Sequence, residues 1–207
     1  MHFAHTNPGN YVGLEARVGI SRLGTLQRRD HDRIRVRYGA VIFSRADKPE
    51  IGTLLDLKGR SFMAVSPSAF GGFQMAWREL KDSGIDPFSD FGDLEFAGFP
   101  QDAIVLAVKN RVVDAATVRA ETLARMVESG EVSPDEFRVL SAQSTADSTI
   151  PLSTRLYPEW PFSTLSSTPR DLASEVAQAL LSMPADHIAA SASRTAGWAI
   201  PLHLSLT

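Results

Sequence analysis

The sequence predicts an α/β fold with a mostly parallel sheet covered by helices. Three observations carry that expectation. Apolar, β-rich stretches alternate with amphipathic ones through the middle of the chain. The amphipathic stretches open on capping residues and close on glycine. No internal repeat or low-complexity tract interrupts the pattern. At 207 residues the chain suits one large domain or two small lobes, each able to bury a core.

Taken in order, Thr6-Asn7-Pro8-Gly9 reads as a helix start. Asn7 can cap, and Pro8 suits the first turn, where its missing N–H costs nothing. The helix expected over 8–17 stops at Gly19. Residues 34–44, IRVRYGAVIFS, predict a strand that alternates in its first half. Arg45-Ala46-Asp47-Lys48-Pro49 breaks it and is the expected crossing between lobes. A short helix or turn is expected over 54–58 and a strand over 60–66, RSFMAVS. Over 72–82, Phe73, Ala76, Trp77 and Leu80 share one helical face, and Gly84 ends the helix. Next come a strand at 94–97, a helix over 102–109 capped by Asp102, and a strand at 112–117. A helix over 119–128 ends at Gly130, and a strand at 137–142 is the expected return crossing. Thr168-Pro169-Arg170-Asp171 combines a cap, a proline at the first helical position and an early acid. Leu172, Val176, Ala179 and Leu180 line one face of the helix that follows, and Asp186 is expected to start a last helix ending near Gly197.

Composition excludes several functions. The net charge is -3, with 43% hydrophobic and 22% charged residues, so nothing marks a nucleic-acid scaffold. The longest basic cluster, Arg28-Arg29 to Arg37, is interrupted by Asp30 and Asp32 and reads as a solvated hairpin face. The absence of cysteine removes disulfides, thiolate metal sites and cysteine nucleophiles, and leaves the compartment open. No apolar run reaches the roughly 18 residues of a membrane span. MHFAHTNPGN lacks the basic and apolar regions of a secretion signal. The histidines are His2, His5, His31, His187 and His203, and only His2 and His5 are close in sequence, with no third ligand nearby; no metal and no cofactor is expected. Neither a Walker-type loop nor a G-x-S-x-G elbow is present.

One stretch suggests chemistry. AVSPSAFGGFQMAW, 64–77, runs from an apolar strand through Ser66 and Ser68 into a double glycine and a helix. In open α/β sheets ligands sit beyond the carboxyl ends of strands, where helix amino ends present unpaired N–H groups and about half a positive charge. Ser66 and Ser68 add hydroxyls, and Gly71 and Gly72 let the backbone approach a ligand. The alternative is a plain turn with Ser68 as a cap. Two further junctions are polar: Thr6-Asn7, and the segment from Asp114 to Arg119, where Thr117 offers a hydroxyl and Arg119 a guanidinium able to grip an oxyanion.

TNPGNYVGLEA, YGAVIFSRAD, LLDLKGRSFMAVSPSAFGGFQMAWREL, the Gly98–Val108 segment, DAATVRAETL and STRLYPEWPFS together resemble the phosphate/phosphonate-type periplasmic substrate-binding domain, in the version carried by bacterial sensor histidine kinases of the tetrathionate-sensor kind. The resemblance runs over roughly residues 3–200. It implies a two-lobe type II periplasmic-binding fold with mixed, mostly parallel sheets. Residues 1–45 and 139–207 would form lobe 1, truncated at its amino end relative to the family, and 46–138 lobe 2. It also implies a small oxyanion held between lobes by Thr6, Asn7, Ser66, Ser68, Ala69, Gly71, Thr117 and Arg119, with Gln101 where the family often has histidine. Glutamine keeps the hydrogen bond but not the charge. The implied role is non-catalytic sensing for a membrane histidine kinase, with periplasmic location. Delivery to an ABC permease, an enzyme of small phosphorylated or sulfur substrates, and a ligand-free remnant are the alternatives.

Overall fold

The structure, a computed structural model, describes residues 1–30, 33–145 and 148–202. His31, Asp32 and His203 therefore lie outside the described residues. The chain divides into two compact units, Met1–Tyr38 with Leu156–Thr207, and Gly39–Arg155.

The Gly39–Arg155 unit is built on a five-stranded sheet in the order Asp93–Phe96, Ser61–Ala64, Ala115–Arg119, Ala40–Arg45, Phe137–Leu140. The first three strands run parallel to one another. Ala40–Arg45 is antiparallel to both of its neighbours. Ala40, Val41, Ile42 and Phe43 are all buried, because the strand is covered on both faces and so reads as a continuous apolar run. Ile42, Phe62, Ala64, Phe73, Ala76, Leu80 and Leu140 form one core, with Trp77 packed against it, as the helical periodicity of 72–82 predicts. That helix is Met75–Asp82, preceded by a wide π-type turn, Phe70–Gln74. Asp102–Lys109 and Ala120–Glu128 are the other two long helices.

The same unit contains a polar lock that the sequence reading missed. The buried Ser153 hydroxyl donates to Leu140 O at 2.7 Å and accepts the Ile42 amide at 2.8 Å. Thr154 Oγ1 accepts the Ala40 amide at 3.0 Å. Two side chains thus pair backbone groups of the Ala40–Arg45 strand, as buried polar groups require.

The other unit has a sheet in the order Phe3–His5, Pro161–Thr164, Ser21–Asp30, Thr195–Ala199, with Arg33–Arg35 also on Ser21–Asp30. Every one of these pairings is antiparallel. Among the described residues parallel pairing is thus confined to the ladders of Ser61–Ala64, so the sheets are mixed but less parallel than expected. His5, Trp160, Phe162 and Trp198 form a ring cluster, with His5–Trp160 centroids 5.4 Å apart and Phe162–Trp198 centroids 5.6 Å apart. These tilted and edge-on ring contacts hold His5, the last residue of the strand that leads into Thr6. The basic hairpin is present, and it has a buried counter-ion: Glu159 lies 3.9 Å from Arg28 Nε.

Several boundaries differ from expectation for local reasons. The units divide after Tyr38 and after Arg155, whereas the composition break lies at 45–49. Ala40–Arg45 and Phe137–Leu140 pair within the Gly39–Arg155 sheet, and that pairing outweighs the loop-like composition beside them. Asp102 is the first helical residue rather than the cap; Gln101 holds the cap position without a side-chain capping bond, and Asp102 pairs with Arg125. Thr168 does not cap its helix either. Its hydroxyl donates to His2 O at 2.8 Å, and Arg170–Leu181 begins after Pro169. The last helix is short, Ile188–Ala192, and Gly197 lies instead in the strand Thr195–Ala199, whose pairing with Ser21–Asp30 overrides local preference.

Candidate functional site

The three parallel strands of the Gly39–Arg155 unit end side by side, at Ala64, Phe96 and Arg119. A helix follows each end: Phe70–Gln74 continuing into Met75–Asp82, Asp102–Lys109, and Ala120–Glu128. Parallel strands followed by helices bring the helix amino ends to one edge of the sheet, the place where open α/β sheets hold ligands. The Ser66–Ser68 junction and the Arg119 junction thus lie at one edge of this unit's sheet, together with the Gln101 junction.

At the first junction the chain leaves Val65 and turns through Ser66-Pro67-Ser68. The Ala69 amide donates to Ser66 O at 3.1 Å, closing the turn. The hydroxyls of Ser66 and Ser68 lie 3.5 Å apart. Ala69 occupies the cap position with no side-chain capping bond, so the Ser68 hydroxyl is not spent on the helix. The helix's own ladder begins with the Gln74 amide, which donates to Ala69 O. Amides before such a first bond have no intrahelical acceptor. Gly71 and Gly72 are buried. At Gly72 the missing Cβ would lie 2.4 Å from Val65 Cγ2, so its smallness serves the packing of turn against strand.

The second and third junctions are tied together. Gln101 Oε1 accepts the Arg119 amide at 2.8 Å, across the end of the middle strand. Arg119 ends its strand and precedes Ala120, and its Nε lies 3.4 Å from Glu121 Oε2. The strand is Ala115–Arg119 rather than 112–117, so Thr117 is inside it and not in the turn beyond. Thr117 is fully buried, and its hydroxyl has no hydrogen-bond partner. Its cross-strand neighbour is Ile42, which packs in the same core as Phe73. Directly paired residues share a sheet face, so the orphan hydroxyl faces the side on which the 70–74 turn packs. Glu121 was not anticipated; no local pattern announces it, because it follows Arg119 by only two residues.

In the other unit, Thr6 and Asn7 link Phe3–His5 to the helix Pro8–Val18. Asn7 caps that helix, its side chain accepting the Asn10 amide at 2.9 Å. Among the described residues no group of three or more His, Asp or Glu is placed to hold a metal ion.

Strand ends crowned by helix starts, with hydroxyl and amide donors, define a ligand-binding module of the periplasmic-binding kind. Residues 1–202 match the family described as ABC transporter, phosphonate, periplasmic substrate-binding protein, and the chain belongs to that family. It is 34% identical over 186 residues to the tetrathionate sensor histidine kinase TtrS of Salmonella typhimurium, covering 89% of this chain and 31% of the kinase. The chain thus spans about a third of the length of that relative. Among solved structures, a Xanthomonas citri protein bound to ATP superposes with a TM-score of 0.75 at 17% identity, over 98% of this chain and 72% of that one. PhnD1 of Prochlorococcus marinus in complex with methylphosphonate gives 0.67 at 14% identity, over 97% and 73%. At these identities the structures establish the fold, a mixed α/β periplasmic-binding-type architecture. Among the described residues no helix is long and apolar enough to cross a membrane.

Proposed function

We propose that the chain is a non-catalytic periplasmic binding domain for a small oxyanion such as a phosphate, a phosphonate or a sulfur oxyanion, working as the sensory part of a two-component membrane histidine kinase. The observation that supports it most is the gathering of three helix starts at one sheet edge, with the buried, unpartnered Thr117 hydroxyl behind the 70–74 turn. The lobes of the binding fold correspond to the two compact units. Ser66, Ser68, Ala69, Gly71, Gln101, Thr117 and Arg119 are the contribution of the Gly39–Arg155 unit to recognition, and Thr6 and Asn7 that of the other unit. Backbone amides and hydroxyls would hold the anion, each charge-assisted hydrogen bond contributing about 1.5–3 kcal/mol. The 34% identity with a sensor kinase favours sensing. The family description favours the second reading, delivery of such an anion to an ABC permease.

A thermal-shift screen against phosphate, methylphosphonate, sulfite, thiosulfate and tetrathionate tests the function. A ligand raises the melting temperature by mass action. Saturable stabilisation by at least one of these anions, with no turnover, is the expected result. Stabilisation by none of them, or chemical conversion of one, contradicts the reading.

A further inference from the structure

We infer that the Gly39–Arg155 unit recognises its ligand as a singly charged oxyanion head, a statement that rests on the binding function proposed above and narrows its ligand class. The charged side chains at the second and third junctions are paired, so Arg119 meets a ligand as half of an ion pair rather than as an uncompensated cation. Arg119 lies against Glu121, and Arg125 pairs with Asp102. What remains for the ligand is neutral: the hydroxyls of Ser66 and Ser68, the buried and unpartnered Thr117 hydroxyl, and the Gly71 and Gly72 amides ahead of the first bond of the Phe70–Gln74 turn.

Gln101 completes the set. Its Oε1 is committed to the Arg119 amide, which fixes the side chain and leaves its NH2 group as the free donor. A glutamine does not titrate. The unit contains no histidine, and Glu79, whose carboxyl is pushed up by burial, lies in the carboxyl-terminal half of its helix, away from the turn.

The consequence is a preference between heads of similar shape. One negative charge is met by neutral donors and helix ends. A second charge meets no uncompensated cation among the described residues of these junctions, while its dehydration cost rises steeply. A sulfo head carries one charge across the physiological range, whereas a phosphate-ester head gains its second near about pH 6.

Calorimetric titration with methanesulfonate and methyl phosphate, at about pH 5 and about pH 8, tests this. Methanesulfonate affinity should be the same at both pH values, and methyl phosphate should bind at least about tenfold more weakly at the higher one. Gln101→Lys, which adds a cation, should reverse the methyl phosphate trend; its melting curve shows whether the variant is folded, and the wild-type comparison stands without it. Tighter methyl phosphate binding at the higher pH in the wild type overturns the inference and leaves the binding function intact. Binding of neither probe, together with a blank anion screen, overturns both.

Discussion

Thr117 separates a structural role from a binding role at a single atom. A buried hydroxyl without a partner costs about 1–3 kcal/mol, and a protein keeps such a group where something else uses it. Thr117→Val removes the hydroxyl and keeps the shape. We expect unfolding stability to hold or rise, and anion affinity to fall about tenfold, the loss of one charge-assisted hydrogen bond. Denaturant unfolding and calorimetry on the same variant check the two halves; lost stability with unchanged affinity would make Thr117 a packing residue. Ser153 is the counter-case. Its hydroxyl is fully engaged with Ile42 and Leu140, so Ser153→Ala should cost about 1–3 kcal/mol of stability, measured by urea unfolding, without direct effect on ligand contacts. The sequence marks Thr117 as a hydroxyl near a strand-to-helix junction, but neither its burial without a partner nor the role of Ser153 could be read there. Ser66 and Ser68 stand in a recognisable strand-to-helix turn, but Thr117 and Ser153 acquire their environments only from strands far away in the chain.

At the scale of elements, the turn after Ser61–Ala64 depends on Gly72. A Cβ there would sit 2.4 Å from Val65 Cγ2 and 2.8 Å from Val65 Cβ. Valine is branched and stiff, so it cannot swing aside. Gly72→Ala should destabilise the protein by about 1–3 kcal/mol, as overpacking does, and Val65→Ala in the same chain should restore part of the loss. A thermal melt of the single and double variants decides it; additive losses would mean that the two positions do not meet.

The elements also show what local sequence encodes. The helices over 8–18, 75–82, 102–109 and 120–128 were legible because an Asn-Pro start, an apolar face or a closing glycine is a short-range signal, although their exact starts were not all read correctly. Ser21–Asp30, SRLGTLQRRD, was not, because a mixed polar strand gains its stability from pairing with Pro161–Thr164 and Thr195–Ala199, more than a hundred residues on. The same reason moved the division between units. Arg45 to Pro49 looks like a linker, yet Arg45 pairs with Phe137 and its guanidinium bonds Asp47, which anchors the segment to the Gly39–Arg155 sheet. The candidate site was legible as a set of junctions, and the tie between Gln101 and Arg119 was not, since it joins two loops that only the sheet order brings together.

For the whole molecule, the acid limit should be set by the Gly39–Arg155 unit. The hydrogen bond from Arg45, with Arg111 close by, pulls Asp47 from 3.8 to about 2. Burial works to raise Asp114, but bonds from Lys48 and Ser61 together hold it below its ordinary value. Asp56, Asp90 and Glu136 are also lowered, each chiefly by hydrogen bonds to its carboxylate: from the Thr53 hydroxyl, the Asp86 amide and the Ser133 amide. A depressed carboxylate contributes stability above its unfolded pKa and loses it as pH falls through the folded value. The melting temperature should therefore be level down to about pH 4 and drop towards about pH 2, with amides of this unit losing hydrogen-exchange protection in that window. Protection that falls first in Met1–Tyr38 and Leu156–Thr207 would contradict this assignment.

Amide chemical shifts followed while methanesulfonate or tetrathionate is added address the site itself. If the helix starts of the Gly39–Arg155 unit hold the anion, the amides of residues 66, 68–72, 101–103 and 117–121 shift together and saturate with one dissociation constant. Shifts confined to other surfaces, or absent from all three junctions at saturating anion, would show that the strand ends are ordinary turns.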